Sequence, residues 1–226
     1  MSRPSSTASR RAAAGGRVLH LETFSGIAGN MFLGALLDLG LSRRALVEDL
    51  QGLGVEFALR VSRVRRGALA ARYVDVRAPG AARRKRRGKA AGKSASHAGH
   101  GHGHAHGRHY TEIARLIARA KLAAPVRDRA LAIFEALARA EARVHGTPIE
   151  KVHFHEVGAV DAIVGVTGAA IGLARLGVTR VTSSPVGLGS GGPIDVDHGR
   201  QPLPAPATLE LRRGSPTVPA LVTWET

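Results

Sequence analysis

Between Pro79 and Arg108 the sequence loses every hydrophobic period, and this interruption limits the folds open to the chain more than any other feature. It opens with Arg83-Arg84-Lys85-Arg86-Arg87 and gives way to His97, His100, His102, His104, His106 and His109, mostly separated by glycine or alanine. No apolar stripe with the spacing of a strand or a helix can be drawn through it, so residues 79–109 read as a disordered basic and His-rich linker. The core must come from the flanks, an N-terminal α/β segment over residues 18–78 and a second segment over 110–214. Residues 1–17 read as a disordered basic tail and 215–226 as a C-terminal tail.

Each flank carries its own pattern. Arg17 to Glu22 alternates as a strand and runs into the small-residue turn Thr23 to Met31, then an apolar helix to Leu39 that stops at Gly40. Ser42 caps a second helix reaching about Leu50, and Val55 to Val61 and Leu69 to Val76 form a hairpin across Arg65-Arg66-Gly67. The outward Arg60, Arg63, Arg65, Arg66 and Arg72 make a solvated basic face that can help to hold an anionic substrate. Beyond the linker, Thr111 can cap one helix. Pro125 starts another, with Val126, Ile133, Phe134, Leu137 and Val144 as its stripe and Gly146 as its stop. Ala162 to Leu176 is apolar nearly all round and predicts a buried helix, and Val178 to Val186 a strand. The expected architecture is α/β, a small mixed sheet with packed helices and one long disordered His-rich insertion.

Charge separates function classes once it is divided along the chain. The formal net charge is +16, but residues 1–17 hold four arginines and no acid, and residues 81–109 hold eight Lys or Arg and no acid. The remainder has 21 basic and 17 acidic residues, so the folded part is only mildly basic and no specific nucleic-acid partner is expected. No apolar run reaches membrane-spanning length, and Arg10-Arg11 lacks the apolar stretch of an export signal. The absence of cysteine excludes thiolate chemistry and leaves imidazole and carboxylate as metal ligands. A cytoplasmic location is the expectation.

The chemistry concentrates in His153-Phe154-His155-Glu156-Val157-Gly158-Ala159-Val160-Asp161. If Lys151 to His155 is extended, His153 and His155 share one face and Phe154 points the other way, into the core. Glu156 and Asp161 follow as a helix begins, where carboxylates suit either a metal or catalytic site or the positive end of the helix alone. The turn Ser25-Gly26-Ile27-Ala28-Gly29 can present backbone N–H groups to an anion or can merely let strand and helix pack closely. A second Gly-rich loop, Gly187 to Gly192, leads to Asp195, Asp197 and His198. The His tract suits auxiliary capture of nickel, zinc or copper by imidazole, with adventitious binding as the plainer alternative.

Several ordered blocks together resemble the LarC nickel-insertion family, which completes the nickel-pincer nucleotide cofactor of lactate racemase. They are Phe24 to Gly40, the internal His tract, Ala140 to Pro148, His153 to Asp161, Ser183-Ser184-Pro185, Gly187 to Gly191 and Pro204 to Leu211, spread over residues 18–214. The resemblance implies an enzyme of the lyase class that inserts nickel into pyridinium-3,5-bisthiocarboxylic acid mononucleotide, with CTP cleaved to CMP and pyrophosphate. On residue type, His153, His155 and His198 suit nickel delivery, and Glu156 or Asp161 can take the ring proton lost when a metal–carbon bond forms. Ser25, Gly26, Gly29, Gly189, Ser190 and Gly191 are the candidates for holding the mononucleotide.

Three departures from the family pattern matter. The resemblance implies Asp where Asn30 stands and an acidic residue where Gly165 stands. It also implies a further C-terminal domain, through which CTP and Mg or Mn would enter, whereas Leu221-Val222-Thr223 here leads only to Trp224-Glu225-Thr226. The chain reads as the short product of two frames joined by ribosomal frameshifting in some relatives, as the partner of a separate C-terminal polypeptide, or as a truncated gene. A homo-oligomer is expected. The competing reading is a noncatalytic nickel chaperone or storage protein.

Overall fold

A computed structural model describes residues 16–23, 26–78, 107–154, 157–189, 193–196 and 199–219. Strand β1 (Arg17–Leu21) leads to helix α1 (Gly29–Asp38), and α2 (Arg43–Gln51) follows after Gly40, whose φ of 102° reverses the chain. Ser42 caps α2 as expected, its hydroxyl accepting the Ala45 N–H at 3.3 Å. Strands β2 (Ala58–Arg66) and β3 (Leu69–Arg77) form the anticipated antiparallel hairpin, with Gly67 at a φ of 58° in the two-residue turn.

Past residue 106, strand β4 (Arg108–His109) enters α3 (Tyr110–Arg119), and α4 (Ala124–His145) follows with a proline in its first turn and Gly146 in the left-handed region at its end. A 3-10 turn (Ile149–Lys151) precedes β5 (His153–Phe154), which pairs antiparallel with β4. Then come α5 (Val160–Arg175), β6 (Val178–Ser183), β7 (Val186–Leu188), β8 (Ile194–Val196), β9 (Gly199–Gln201), α6 (Pro206–Leu211) and β10 (Thr217–Pro219). Strands β1 and β6 pair parallel, as do β7 and β10, while β8 and β9 pair antiparallel. The α/β architecture with helices packed on small sheets, parallel and antiparallel together, is as expected.

One hydrophobic cluster draws on both flanks of the interruption. Leu33, Leu36 and Leu37 of α1, Leu46 and Leu50 of α2 and Val74 of β3 join Ile113, Ile117, Phe134, Ile163 and Ile171 from beyond it. Leu, Ile, Val and Ala supply most of the buried side chains, in keeping with the scarcity of aromatics. No helix among the described residues is long and apolar enough to cross a membrane.

Four local expectations change. The cap of α3 is His109 rather than Thr111, because Glu112 reaches back to accept the His109 N–H at 3.0 Å and fixes the helix start two residues earlier. In α4 the buried side chains are Val126, Ala130, Phe134, Ala138 and Ala140, with Leu137 packed against the core as expected, whereas Val144 is 39% exposed. Lys151 belongs to the 3-10 turn, so the extended run among described residues begins after it. The strand expected over 178–186 breaks at Ser184-Pro185: Pro185 has no N–H for a ladder, and the Ser184 N–H turns to the Leu21 carbonyl at 2.9 Å.

Candidate functional site

The pairing of β4 with β5 builds the first part of the site. His109 lies opposite His153 in register, with ring centroids 4.8 Å apart and planes at 77°. Phe154 points the other way and is 3% exposed, in contact with Phe134 at a centroid distance of 6.4 Å, as the alternation of a strand requires. The Arg108 guanidinium donates to the Gly158 carbonyl at 2.9 Å. A side chain at Gly158 would stand 2.4 Å from the Phe154 carbonyl and 2.5 Å from the Arg108 nitrogen, so only glycine lets the chain close this tightly behind the histidines.

His109 is thereby corrected from a member of the flexible tract to a fixed residue at the start of α3, held by the strand pairing and by Glu112. His153 is brought to it, and nothing in local periodicity could have announced a pair separated by 43 intervening positions of chain. His155, Glu156 and His198 lie outside the described residues, as do His97, His100, His102, His104 and His106. Among the described residues no group of three or more His, Asp or Glu is placed to hold a metal ion.

The second part is a pair of clefts meeting at Asn30. Asp161, exposed in the first turn of α5, lines a cleft of about 470 Å³ together with Gly29, Asn30, Asp75 and Gly165. Its Oδ1 accepts the adjacent Ala162 N–H at 3.0 Å, so it also serves the helix start. The two positions where an acid was expected, Asn30 and Gly165, thus face the same space as Asp161. Asp75, which the sequence reading missed, is held by Arg77, whose Nε donates to it at 2.7 Å. Its signal was a lone acid two positions from Tyr73, on the same face of β3.

Asn30 also lines a larger and mostly apolar cleft of about 840 Å³, walled by Leu19, Leu21, Ile27, Met31, Phe32 and Thr23. The Thr23 carbonyl accepts N–H groups from Gly26 at 3.0 Å and Gly187 at 3.2 Å, which ties the two Gly-rich turns together. Ser184 completes the junction by accepting the Thr23 N–H at 3.1 Å and donating to the Leu21 carbonyl at 3.3 Å. The Thr23 side chain is 97% removed from solvent, as its exposure is 3%, and its hydroxyl has no hydrogen-bond partner among the described residues. Gly26 takes a φ of 78°, which favours glycine, and Gly29 opens α1 with no side-chain cap before it and no acid in its first turn. Gly189 is buried, and Ser25, Ser190 and Gly191 lie outside the described residues. At the rim, His20 Nδ1 lies 2.9 Å from Thr182 Oγ1 and its Nε2 3.1 Å from Glu22 Oε1.

The sequence pattern of the nickel insertion protein family matches residues 19–225. Among similar proteins, the pyridinium-3,5-bisthiocarboxylic acid mononucleotide nickel insertion protein of Thermotoga petrophila is 48% identical over 200 residues, covering 88% of this chain and 46% of its own length. The protein of the same name from Desulfitobacterium hafniense is 42% identical over 201 residues, covering 88% of this chain and 44% of its own. The chain therefore spans about half the length of these relatives. No solved structure matches it. With the match running through both Gly-rich turns, the paired histidines and both helices of the cleft, the chain belongs to the nickel insertion protein family.

Proposed function

We propose that the chain is the nickel-handling part of an enzyme that inserts nickel into pyridinium-3,5-bisthiocarboxylic acid mononucleotide during nickel-pincer cofactor biosynthesis. The observation that carries this reading is the meeting of the first turns of α1 and α5 on one cleft, with Asn30 and Asp161 in its wall and the apolar cleft opening beside Asn30. A flat aromatic ring suits the apolar cleft. The uncapped N–H groups at the start of α1 suit the substrate's anionic groups.

Nickel is a substrate here. His109 and His153 receive it through imidazole nitrogens, which bind divalent ions of this class readily. The ring C–H proton then passes to Asp161, the electron pair left on carbon goes to the metal, and the substrate's sulfurs displace imidazole. His155 and His198 as further ligands, Glu156 as an alternative base, and Ser25, Gly26, Gly29, Gly189, Ser190 and Gly191 as the mononucleotide cradle belong to the same proposal. CTP with Mg or Mn would act through a separate C-terminal polypeptide, and the assembly would be a homo-oligomer.

The test is reconstitution. The chain is mixed with Ni(II) and the mononucleotide, with and without CTP, Mg and the C-terminal half of a relative, and the nickel-containing product is followed by mass spectrometry. Product should form in the complete mixture, and Asp161→Asn should lower its rate by about 100-fold or more. Nickel binding with no product in any mixture would instead make the chain a noncatalytic nickel carrier.

A further inference from the structure

A separate cleft of about 730 Å³ lies where the end of α2 meets α3, sharing no lining residue with the clefts at Asn30. Its floor is backbone: the Gly52 carbonyl accepts the Lys121 N–H at 2.9 Å, and a Cβ on Gly52 would fall 2.5 Å from the Lys121 carbonyl. Four cationic side chains line it, Arg108, Arg115, Arg119 and Lys121. The one acid in the wall is Glu112, and its carboxylate already accepts the His109 N–H.

Several arginines elsewhere are neutralised at close range, Arg139 by Glu135, Arg143 and Arg213 by Glu210, and Arg175 by Asp49. Among the described residues, no carboxylate forms an ion pair with Arg115, Arg119 or Lys121. Arg60, Arg63 and Arg65 of the hairpin are exposed as well, but they line neither this cleft nor those at Asn30. Arg115 and Arg119 are one helical turn apart, side by side at about 5–6 Å, and their forks can each take two oxygens of neighbouring phosphates.

We infer that this cleft binds a pyrophosphate group, free or carried on a nucleoside, through Arg115, Arg119, Lys121 and the Arg108 guanidinium that Gly158 anchors. Four cations exceed the charge of one phosphate and match that of two. Four cationic side chains against one carboxylate repel a divalent cation, so the anion binds without metal.

Calorimetric titration of the full chain in EDTA tests this with pyrophosphate, inorganic phosphate and ADP. Pyrophosphate should bind about tenfold or more tightly than phosphate, and Arg115→Gln with Arg119→Gln should weaken it by about tenfold or more. The charge-retaining pair Arg115→Lys and Arg119→Lys should fall between, which separates loss of contact from loss of fold. Arg63→Gln with Arg65→Gln on the hairpin should change affinity by less than about twofold. ADP binding more tightly than pyrophosphate identifies the nucleoside-borne group as the ligand, and equal or weaker binding identifies the free anion. Equal losses in the cleft and hairpin variants would overturn the inference. So would a single-stranded oligonucleotide that binds more tightly than pyrophosphate and is released by the same cleft substitutions, because the face would then be one for nucleic acid.

Discussion

Asn30 and Gly165 face the space that Asp161 enters, and neither brings it a charge. Asn30 is the second residue of α1, whose first turn holds no acid, so Asn30→Asp should raise stability by about 0.3–1 kcal/mol through the helix dipole. A Cβ at Gly165 would meet nothing within 4 Å, and a helix-interior glycine is itself costly, so Gly165→Asp should fold at least as well as the parent. Together the two acids should tighten divalent-cation binding in calorimetry. Unchanged affinity would mean that the cleft does not receive a metal. Neighbouring β5 separates chemistry from packing within one dipeptide. Phe154→Ala, at a side chain 3% exposed, should cost about 3–5 kcal/mol in thermal or denaturant melts. His153→Ala and His109→Ala should each abolish the nickel binding proposed for this pair with little change in the melt. Histidine variants that bind nickel normally but unfold easily would reduce the pair to packing.

At the scale of the element, close approach of backbones decides more than side-chain choice. A Cβ at Gly34 of α1 would lie 2.2 Å from the Arg72 carbonyl of β3, whereas at Gly172 of α5 it would lie 2.6 Å from Leu36 Cδ1. A carbonyl in a ladder cannot turn aside as a leucine methyl can, so Gly34→Ala should destabilise more than Gly172→Ala, whose cost should be about 1–3 kcal/mol. Paired denaturant titrations would expose a reversed order. These distances also explain what could be read from sequence. The Ser42 cap, the Gly67 hairpin and the apolar α5 follow from local residue chemistry and were legible. The β4–β5 pairing and the junction at Thr23 depend on non-local contacts of Gly158 and Gly187, which no period announces. Helix α6 adds a test in acid. Hydrogen bonds from Arg213 first, then Arg143, hold the Glu210 carboxyl below its ordinary value. A depressed carboxylate stabilises above its unfolded pKa and loses that effect as pH falls through the folded one. Amide protection factors in α6, which remove the intrinsic pH dependence of exchange, should therefore be steady near neutrality and fall only below about pH 4. Glu210→Gln should flatten that response.

Across the whole molecule, the imidazoles divide into two populations. His97, His100, His102, His104 and His106 sit in a run of glycine and alanine that has no residues to bury, while His109 is locked to His153 by strand pairing. A string of histidines spaced by glycine and alanine can bind several ions, each weakly, because glycine has more backbone freedom to lose on ligation than any other residue. A pair whose ring centroids already lie 4.8 Å apart has less chain to order, so one ion should bind there more tightly. Replacing the five tract histidines by asparagine keeps chain length and alters no residue of the core. It should lower the nickel stoichiometry in equilibrium dialysis while leaving the melting temperature and one tighter site in place. Adding His109→Ala to that chain should then abolish the remaining site. If the five substitutions alone removed all bound nickel, the tract would be the whole of the metal-binding capacity. The paired histidines would then have to be read as a structural contact between β4 and β5.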